Sequence, residues 1–264
     1  MIGMERKLIN VDIGSVPEHI RPLLENATVY DSSCSRAAKV IFIDKDDGYY
    51  LKCSEKGSLK KEAAMAEYFY GKGLGARVVE YFSSDGKDWL LTERVPGEDC
   101  TYAEYLDDPK RLCDLTATLL RELHETDHLL CPIDHTSEYI GTVERNYREG
   151  RYDVSLFPDN WGYASAEEAF KVFEKNKCFL QSDTLLHGDY CLPNIMLNNW
   201  RFSGYIDLGN GGVGDRHVDL FWGAWTLNFN LKTDKYRERF FDAYGRDRVN
   251  EEMLRVIAAA EVFG

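Results

Sequence analysis

The stretch that most constrains this chain is His187-Gly188-Asp189-Tyr190-Cys191-Leu192-Pro193-Asn194-Ile195-Met196-Leu197, followed at a short distance by Tyr205-Ile206-Asp207-Leu208-Gly209. It sets an Asp, an Asn five positions on, and a second Asp thirteen residues after that, each beside a short apolar run. Runs of this length read as strands, so the three oxygen-bearing side chains fall at strand and loop boundaries. Such a set suits a divalent cation together with a hydroxyl nucleophile. The chain around it has 264 residues, enough for one large domain or two lobes with a substantial core.

Composition narrows the function classes. The chain is 44% hydrophobic and 29% charged, as an ordinary soluble globular protein is. No apolar run approaches the roughly 20 residues that span a bilayer, and Met1-Ile2-Gly3-Met4-Glu5-Arg6-Lys7 lacks the apolar core of a secretory signal. Seven cysteines without a C-x-x-C pair argue against a disulfide framework or a zinc site. The expected location is the cytoplasm, with no membrane partner. A net charge of −13 opposes nucleic-acid binding, which needs Lys and Arg on phosphates, and favours encounter with a cationic ligand.

Read in order, Ser15-Val16-Pro17-Glu18 predicts a capping box and a helix to about Asn26. Lys39–Ile43 and Tyr49–Cys53, joined through Asp46-Asp47-Gly48, predict a hairpin preceded by a Ser-rich loop that resembles a flap over phosphates. A helix is predicted over 59–71, where Glu62, Met65, Ala66 and Phe69 share one face. A carboxylate there either finds a cation, for which Lys52 on the preceding strand is the candidate, or reaches solvent. A second hairpin turns at Ser83-Ser84-Asp85-Gly86. Arg94-Val95-Pro96-Gly97 breaks the chain sharply, which places the expected lobe boundary between residues 95 and 96. Beyond it the chain turns helical, with Leu112, Leu115, Leu119 and Leu123 on one apolar face through about Glu125, and further helices are predicted over about 138–151 and 166–176 and from about 217 to the end, with a glycine-rich turn over 209–214.

Phosphoryl transfer requires a Lys on the α/β-phosphates, a Glu that holds it, and a loop over the phosphates. It also requires an Asp to accept the hydroxyl proton, and an Asn plus a second Asp for Mg²⁺. The chain offers these in order as the loop 32–35, Lys52, Glu62, Asp189, Asn194 and Asp207. His187-Gly188-Asp189 with Asn194, then Asp207-Leu208-Gly209, keep the Asp-to-Asn spacing of the protein-kinase signature. The bland alternative for Asp189 is a loop-stabilising Asp. His187 is expected to brace the loop, and Asp219 to bond backbone rather than metal.

These stretches, with Arg201–Asp207, Gly212-Val213-Gly214-Asp215-Arg216, Asp88–Leu91, Val95–Asp99, Leu123-His124 and Cys131–His135, closely resemble the aminoglycoside 3′-phosphotransferases. The resemblance runs from about residue 28 to the C-terminus. It implies an α+β, bilobal, protein-kinase-like fold: a small antiparallel β-sheet lobe with one inserted helix over 1–95, and a larger, mainly helical lobe over 96–264. The implied activity is transfer of the γ-phosphate of ATP to an aminoglycoside 3′-hydroxyl, which confers resistance to the antibiotic.

By position, Asp189 is then the base, Asn194 and Asp207 hold Mg²⁺, and Lys52 meets the α/β-phosphates paired with Glu62. The Ser35 region covers the phosphates, Tyr50 stacks on adenine, and the backbone at Glu93 and Val95 reads its edge. Asp159 and Glu261 match acids that face the drug. Other positions depart from the family: Asn210 and Trp225 replace arginines, Phe229-Asn230 replaces an acid pair, Ala260 replaces a C-terminal acid, and the chain ends in Gly264 rather than Phe. These departures keep open a relative acting on another hydroxyl, such as an amino alcohol, a sugar or another antibiotic. An inactive nucleotide-binding protein is a third reading. Monomer and homodimer are both compatible with the sequence.

Overall fold

The computed structural model describes residues 7–34, 38–153 and 162–264. Its chain divides into two compact units, one made of the residues up to Asp107 with Pro193–Gly209, the other of Asp108–Leu192 with Asn210–Gly264. The Val95-Pro96-Gly97 break therefore lies inside the first unit. The site stretch is shared between the two, cut after Leu192.

The first unit runs through β1 (Lys7–Leu8), α1 (Arg21–Leu24), β2 (Thr28–Asp31), β3 (Lys39–Asp44), β4 (Tyr49–Glu55), α2 (Lys60–Gly71), β5 (Val78–Ser84), β6 (Lys87–Glu93), β7 (Glu98–Asp99) and α3 (Ala103–Leu106). The second opens with α4 (Pro109–Glu125), α5 (His135–Arg148), α6 (Ala166–Asn176) and β8 (Thr184–Leu186). The chain returns to the first unit for β9 (Ile195–Asn198) and β10 (Arg201–Tyr205). It then closes the second with β11 (Gly212–Gly214), α7 (His217–Leu231), α8 (Arg237–Tyr244) and α9 (Glu251–Glu261).

In the first unit an antiparallel sheet has the order β1-β2-β3-β4-β6-β5. Its hairpins turn where the sequence supplies residues that tolerate positive φ, at Asp46 and Gly48 and at Asp85-Gly86. The two-residue period of the strands sorts its faces. Ile41, Ile43, Leu51 and Leu91 pack with Val16, Ile20, Leu24 and Val29 on one side. Leu90 packs with Leu59 and Ala63 on the other. Lys52 is paired with Leu90 in register, so its side chain emerges on the face that carries α2.

α2 buries Ala63, Met65, Ala66 and Phe69. It ends in a Schellman motif: Gly73 at φ +72, with Leu74 N donating to Phe69 O and Gly73 N to Tyr70 O. The N-terminal segment corrects the expectation of one helix from Ser15. Two 3₁₀ turns, Ile13–Ser15 and Glu18–Ile20, precede the four-residue α1. The cap is Asp12, which accepts from Gly14 N at 2.9 Å, while the Ser15 hydroxyl donates to Asp12 O. Pro17 has no N–H and holds an extended ψ of 141°, which interrupts any continuous helix.

In the second unit α4 packs on α7, α8 and β8, α6 on α9, and α7 on α8 and α9. The buried stripe of α4 is wider than its leucines alone foretell. It includes Cys113, Thr116, Ala117, Leu120 and His124, and leaves Leu115 only half-buried. α5 begins at His135, three residues earlier than expected, because Asp134 caps it by accepting from Ser137 N at 3.1 Å.

Candidate active site

Within the first unit three of the candidate residues meet at Lys52. Its ammonium lies 2.7 Å from Glu62 Oε2 and 2.9 Å from Asp207 Oδ1. Burial works to lower the Lys52 pKa, but the two carboxylates outweigh it, and the ammonium is held above the ordinary lysine value. Glu62 is pushed up from the usual carboxylate range. Burial and the Asp207 charge raise it by more than the Lys52 charge lowers it. One lysine thus shares its charge between a half-buried acid and an exposed one.

Asp207 is placed by a left-handed backbone at φ +58, directly before the turn Leu208–Asn210. Asn194 closes the turn Leu192–Asn194, is buried, and accepts Ile206 N at its carbonyl at 3.1 Å. That bond joins the two stretches carrying the amide and carboxylate oxygens. An amide oxygen and a carboxylate form a hard-oxygen donor pair, which fits Mg²⁺ with phosphates and water completing its shell. Among the described residues no group of three or more His, Cys, Asp or Glu side chains is placed to hold a metal by itself.

The loop after β2 is stapled by Ser33. Its N–H donates to Asp31 Oδ1 at 2.9 Å, and its hydroxyl accepts from Val40 N at 2.9 Å. Ser35 lies outside the described residues, as does Asp159. Tyr50 is half-buried on β4, with its ring 5.0 Å from that of Phe42. Glu93 ends β6 with its carboxylate on the Arg77 guanidinium and its N–H on Arg77 O, and Val95 is buried.

Within the second unit, the loop that carries Asp189 is fixed from several directions. Asp219, fully buried near the start of α7, accepts from His187 N and Gly188 N, both at 2.8 Å. His124 adds a third contact at 3.2 Å. A carboxylate only accepts, so His124 presents Nε2–H to Asp219 and its Nδ1 accepts from the Tyr244 hydroxyl at 2.9 Å. Burial raises the Asp219 pKa, but the bonds from the His124 ring and the His187 backbone N–H prevail and hold it below the ordinary value. Further on, Tyr190 OH donates to Thr116 O, and Leu192 N donates to Thr226 Oγ1. Gly188 has φ +82, and a Cβ there would meet Asn210 O at 2.0 Å, so glycine is required. Asp189 itself is only half-buried, between these anchored neighbours.

Glu261, near the C-terminal end of α9, is buried and accepts from Tyr139 OH at 2.7 Å. Burial pushes its carboxyl up to about 7, and the Asp189 charge adds to this against bonds from Tyr139 and the Trp222 indole. Asp219 bonds backbone N–H groups, as expected, and His187 Nδ1 accepts from Asp189 N at 3.3 Å within the loop. His124, Tyr139, Thr226 and Tyr244 were not assigned contacts from sequence, because each acts through a partner far along the chain.

The family model of the phosphotransferase enzyme family matches residues 34–255. The chain belongs to that family. This phosphotransferase is 49% identical over 259 residues to a probable aminoglycoside 3′-phosphotransferase of Lactococcus lactis subsp. lactis (strain IL1403), covering 98% of each chain. Its fold is like that of a solved aminoglycoside-3′-phosphotransferase of type VIII, with a TM-score of 0.76, 23% identity, and 94% and 100% of the two chains covered. It is also like that of a Streptomyces rimosus aminoglycoside phosphotransferase, APH(3″)-Id, solved with ADP and streptomycin. There the TM-score is 0.63 at 22% identity, over 90% and 91% of the chains. The bilobal, kinase-like α+β class expected from the sequence is the class these structures share with the phosphotransferase.

Proposed function

We propose that this chain is an aminoglycoside 3′-phosphotransferase, moving the γ-phosphate of ATP to the 3′-hydroxyl of an aminoglycoside in the cytoplasm. The observation that carries the reading is the Lys52 ammonium held at 2.7 Å by Glu62 and 2.9 Å by Asp207, a charge fixed in place to meet phosphate oxygens. The near full-length relative named for this activity supports the choice of acceptor.

In this reading Asp189 accepts the proton of the acceptor hydroxyl as its oxygen bonds to phosphorus and the bond to ADP breaks. The Asp219 clasp on His187 and Gly188 keeps the Asp189 backbone from drifting, so that the base stays aimed. Lys52 orients the α- and β-phosphates, and Glu62 keeps it from collapsing onto Asp207 when nucleotide is bound. Asn194 and Asp207 would hold Mg²⁺, which when bound would supply charge neutralisation on the phosphate oxygens. Tyr50 stacks on adenine, the backbone at Glu93 and Val95 reads its edge, and the Ser35 loop covers the phosphates. Asp159 and Glu261 take ammonium groups of the drug. Functionally, residues 1–95 bind the nucleotide, and 96–264 supply the base, the acceptor site and the Mg²⁺ ligands Asn194 and Asp207.

A second reading, a related kinase with another hydroxyl acceptor, is favoured by one observation. α7 presents Phe229, 55% exposed, where the resemblance calls for an acid. The two readings separate in one assay. Purified enzyme with ATP and Mg²⁺ is expected to release ADP with at least one of kanamycin, neomycin and amikacin. Release with none of them turns the assignment to the second reading.

A further inference from the structure

The sheet of the first unit carries a row of three aromatic rings on the face that bears Lys52. Tyr50 lies two residues before Lys52 on β4, so both side chains emerge on that face. The register pairs Tyr50 with Phe42 of β3, and Phe42 with Tyr30 of β2. The rings follow one another, Tyr30 to Phe42 at 6.1 Å and Phe42 to Tyr50 at 5.0 Å. Phe42, in the middle of the row, is buried. Gly48 of the β3–β4 turn lies against it at φ +95, where a Cβ would come within 2.8 Å of the Phe42 ring and 3.3 Å of Arg94 Cδ. The turn, the ring and the arginine stem thus meet at one point.

Arg94 stands between Glu93 and Val95, the two residues whose backbone is assigned to the edge of adenine. The β4–β6 ladder ends at the Tyr49 and Glu93 pair, so from Arg94 onward the connector to β7 has left the sheet. Arg94 ties it back. Its N–H donates to Gly48 O at 3.0 Å, and its guanidinium stands over Phe42 with Cζ 5.9 Å from the ring centroid. Nη2 donates to Gly97 O at 3.3 Å and lies 3.9 Å from Glu98 Oε1. The Nε is buried and makes no hydrogen bond among the described residues. A methionine would fill the same space without an N–H to leave unmatched, so packing alone does not account for an arginine here.

From this arrangement we infer that Arg94 is a positioning residue for the base of the nucleotide. It fixes the gap between the aromatic row that ends at Tyr50 and the backbone of Glu93 and Val95. A planar base meets its stacking face and its edge partners together only when those two walls are held at one spacing. Arg94 holds them by gripping the row through Phe42 and Gly48 and the connector through Gly97 O. It acts through these neighbours and touches no reacting atom. The inference rests on the ATP reading above and deepens it.

Calorimetric titration of ADP with Mg²⁺ onto the full chain tests the assignment without any phosphate transfer. Arg94→Met keeps the stem and removes the guanidinium. It is expected to weaken ADP roughly tenfold, the size of one lost charged hydrogen bond, and to melt within about 3 °C of wild type. Arg94→Lys, which keeps a cation without the fork, is expected to weaken ADP about threefold. Tyr50→Ala removes one wall, so adding Arg94→Met to it is expected to weaken ADP by less than about threefold further. ADP bound equally by wild type and Arg94→Met overturns the role of Arg94 and leaves the nucleotide reading standing. A tenfold loss that persists in full on the Tyr50→Ala background overturns it as well, because the arginine then acts outside the base slot. Should Arg94→Met melt far below wild type, Arg94→Lys decides, and wild-type ADP affinity in that variant overturns the role. A wild type that binds no ADP overturns the nucleotide reading itself.

Discussion

At the residue scale the most consequential group outside the direct chemistry is Asp219. Its two oxygens serve three donors in a fully buried site, so a side chain without two acceptor oxygens leaves an N–H unmatched. Asp219→Asn turns an amide NH₂ toward one of the two backbone N–H groups. The expected loss is about 3 kcal/mol of stability by urea denaturation, with a fall in kcat well beyond any change in the KM for ATP. A loss below about 1 kcal/mol would contradict the clasp.

The pH dependence follows from signs. Burial holds His124 below the ordinary histidine value, so the unfolded chain takes up its proton first. The contribution from His124 is complete above about pH 6.5 and declines as pH falls below it. The lowered Asp219 adds stability that is present above about pH 3.9 and is lost as pH falls through its folded value. Lys52 and Glu62 were legible as partners because strand and helix periods put them on facing surfaces. Tyr139 on Glu261 and Tyr244 on His124 were not, since 122 and 120 residues separate the partners and nothing local marks either one.

At the scale of elements, β7 matters more than its two residues suggest. Glu98 and Asp99 pair with Leu197 and Met196 of β9, the strand that begins immediately after Asn194. The close approach depends on Gly97, at φ +99, where a Cβ would lie 2.1 Å from Leu197 O. Gly97→Ala is expected to push β9 away, to lower stability by about 2 kcal/mol or more, and to weaken Mg²⁺-dependent nucleotide binding through Asn194. Thermal melting and nucleotide titration check it, and an unshifted nucleotide affinity would remove β7 from the support of the site. The hairpins and α2 were readable from turn residues and periodicity. The start of the chain was not, because a capping-box pattern competes there with Pro17 and a better cap at Asp12. The early start of α5 likewise follows from a cap, Asp134, that in sequence reads as part of a loop.

At the scale of the whole molecule, a net charge of −13 favours encounter with a polycationic acceptor and opposes the approach of a nucleotide. The chain's path explains why the site stretch carries so much information. Residues up to Leu192 fold with the helical unit that holds Asp189. Pro193–Gly209 folds with the sheet unit that holds Lys52. One contiguous motif thus supplies functional groups to both units, and its spacing is legible without either fold.

The most direct measurement compares one aminoglycoside with its 3′-deoxy analogue, each incubated with enzyme, ATP and Mg²⁺ and followed by ADP release and by phosphorus NMR of the product. The account expects the parent drug to gain a single phosphate on the 3′-oxygen, and the 3′-deoxy analogue to bind without turnover. Phosphorylation of the 3′-deoxy analogue at a rate like that of its parent would contradict it.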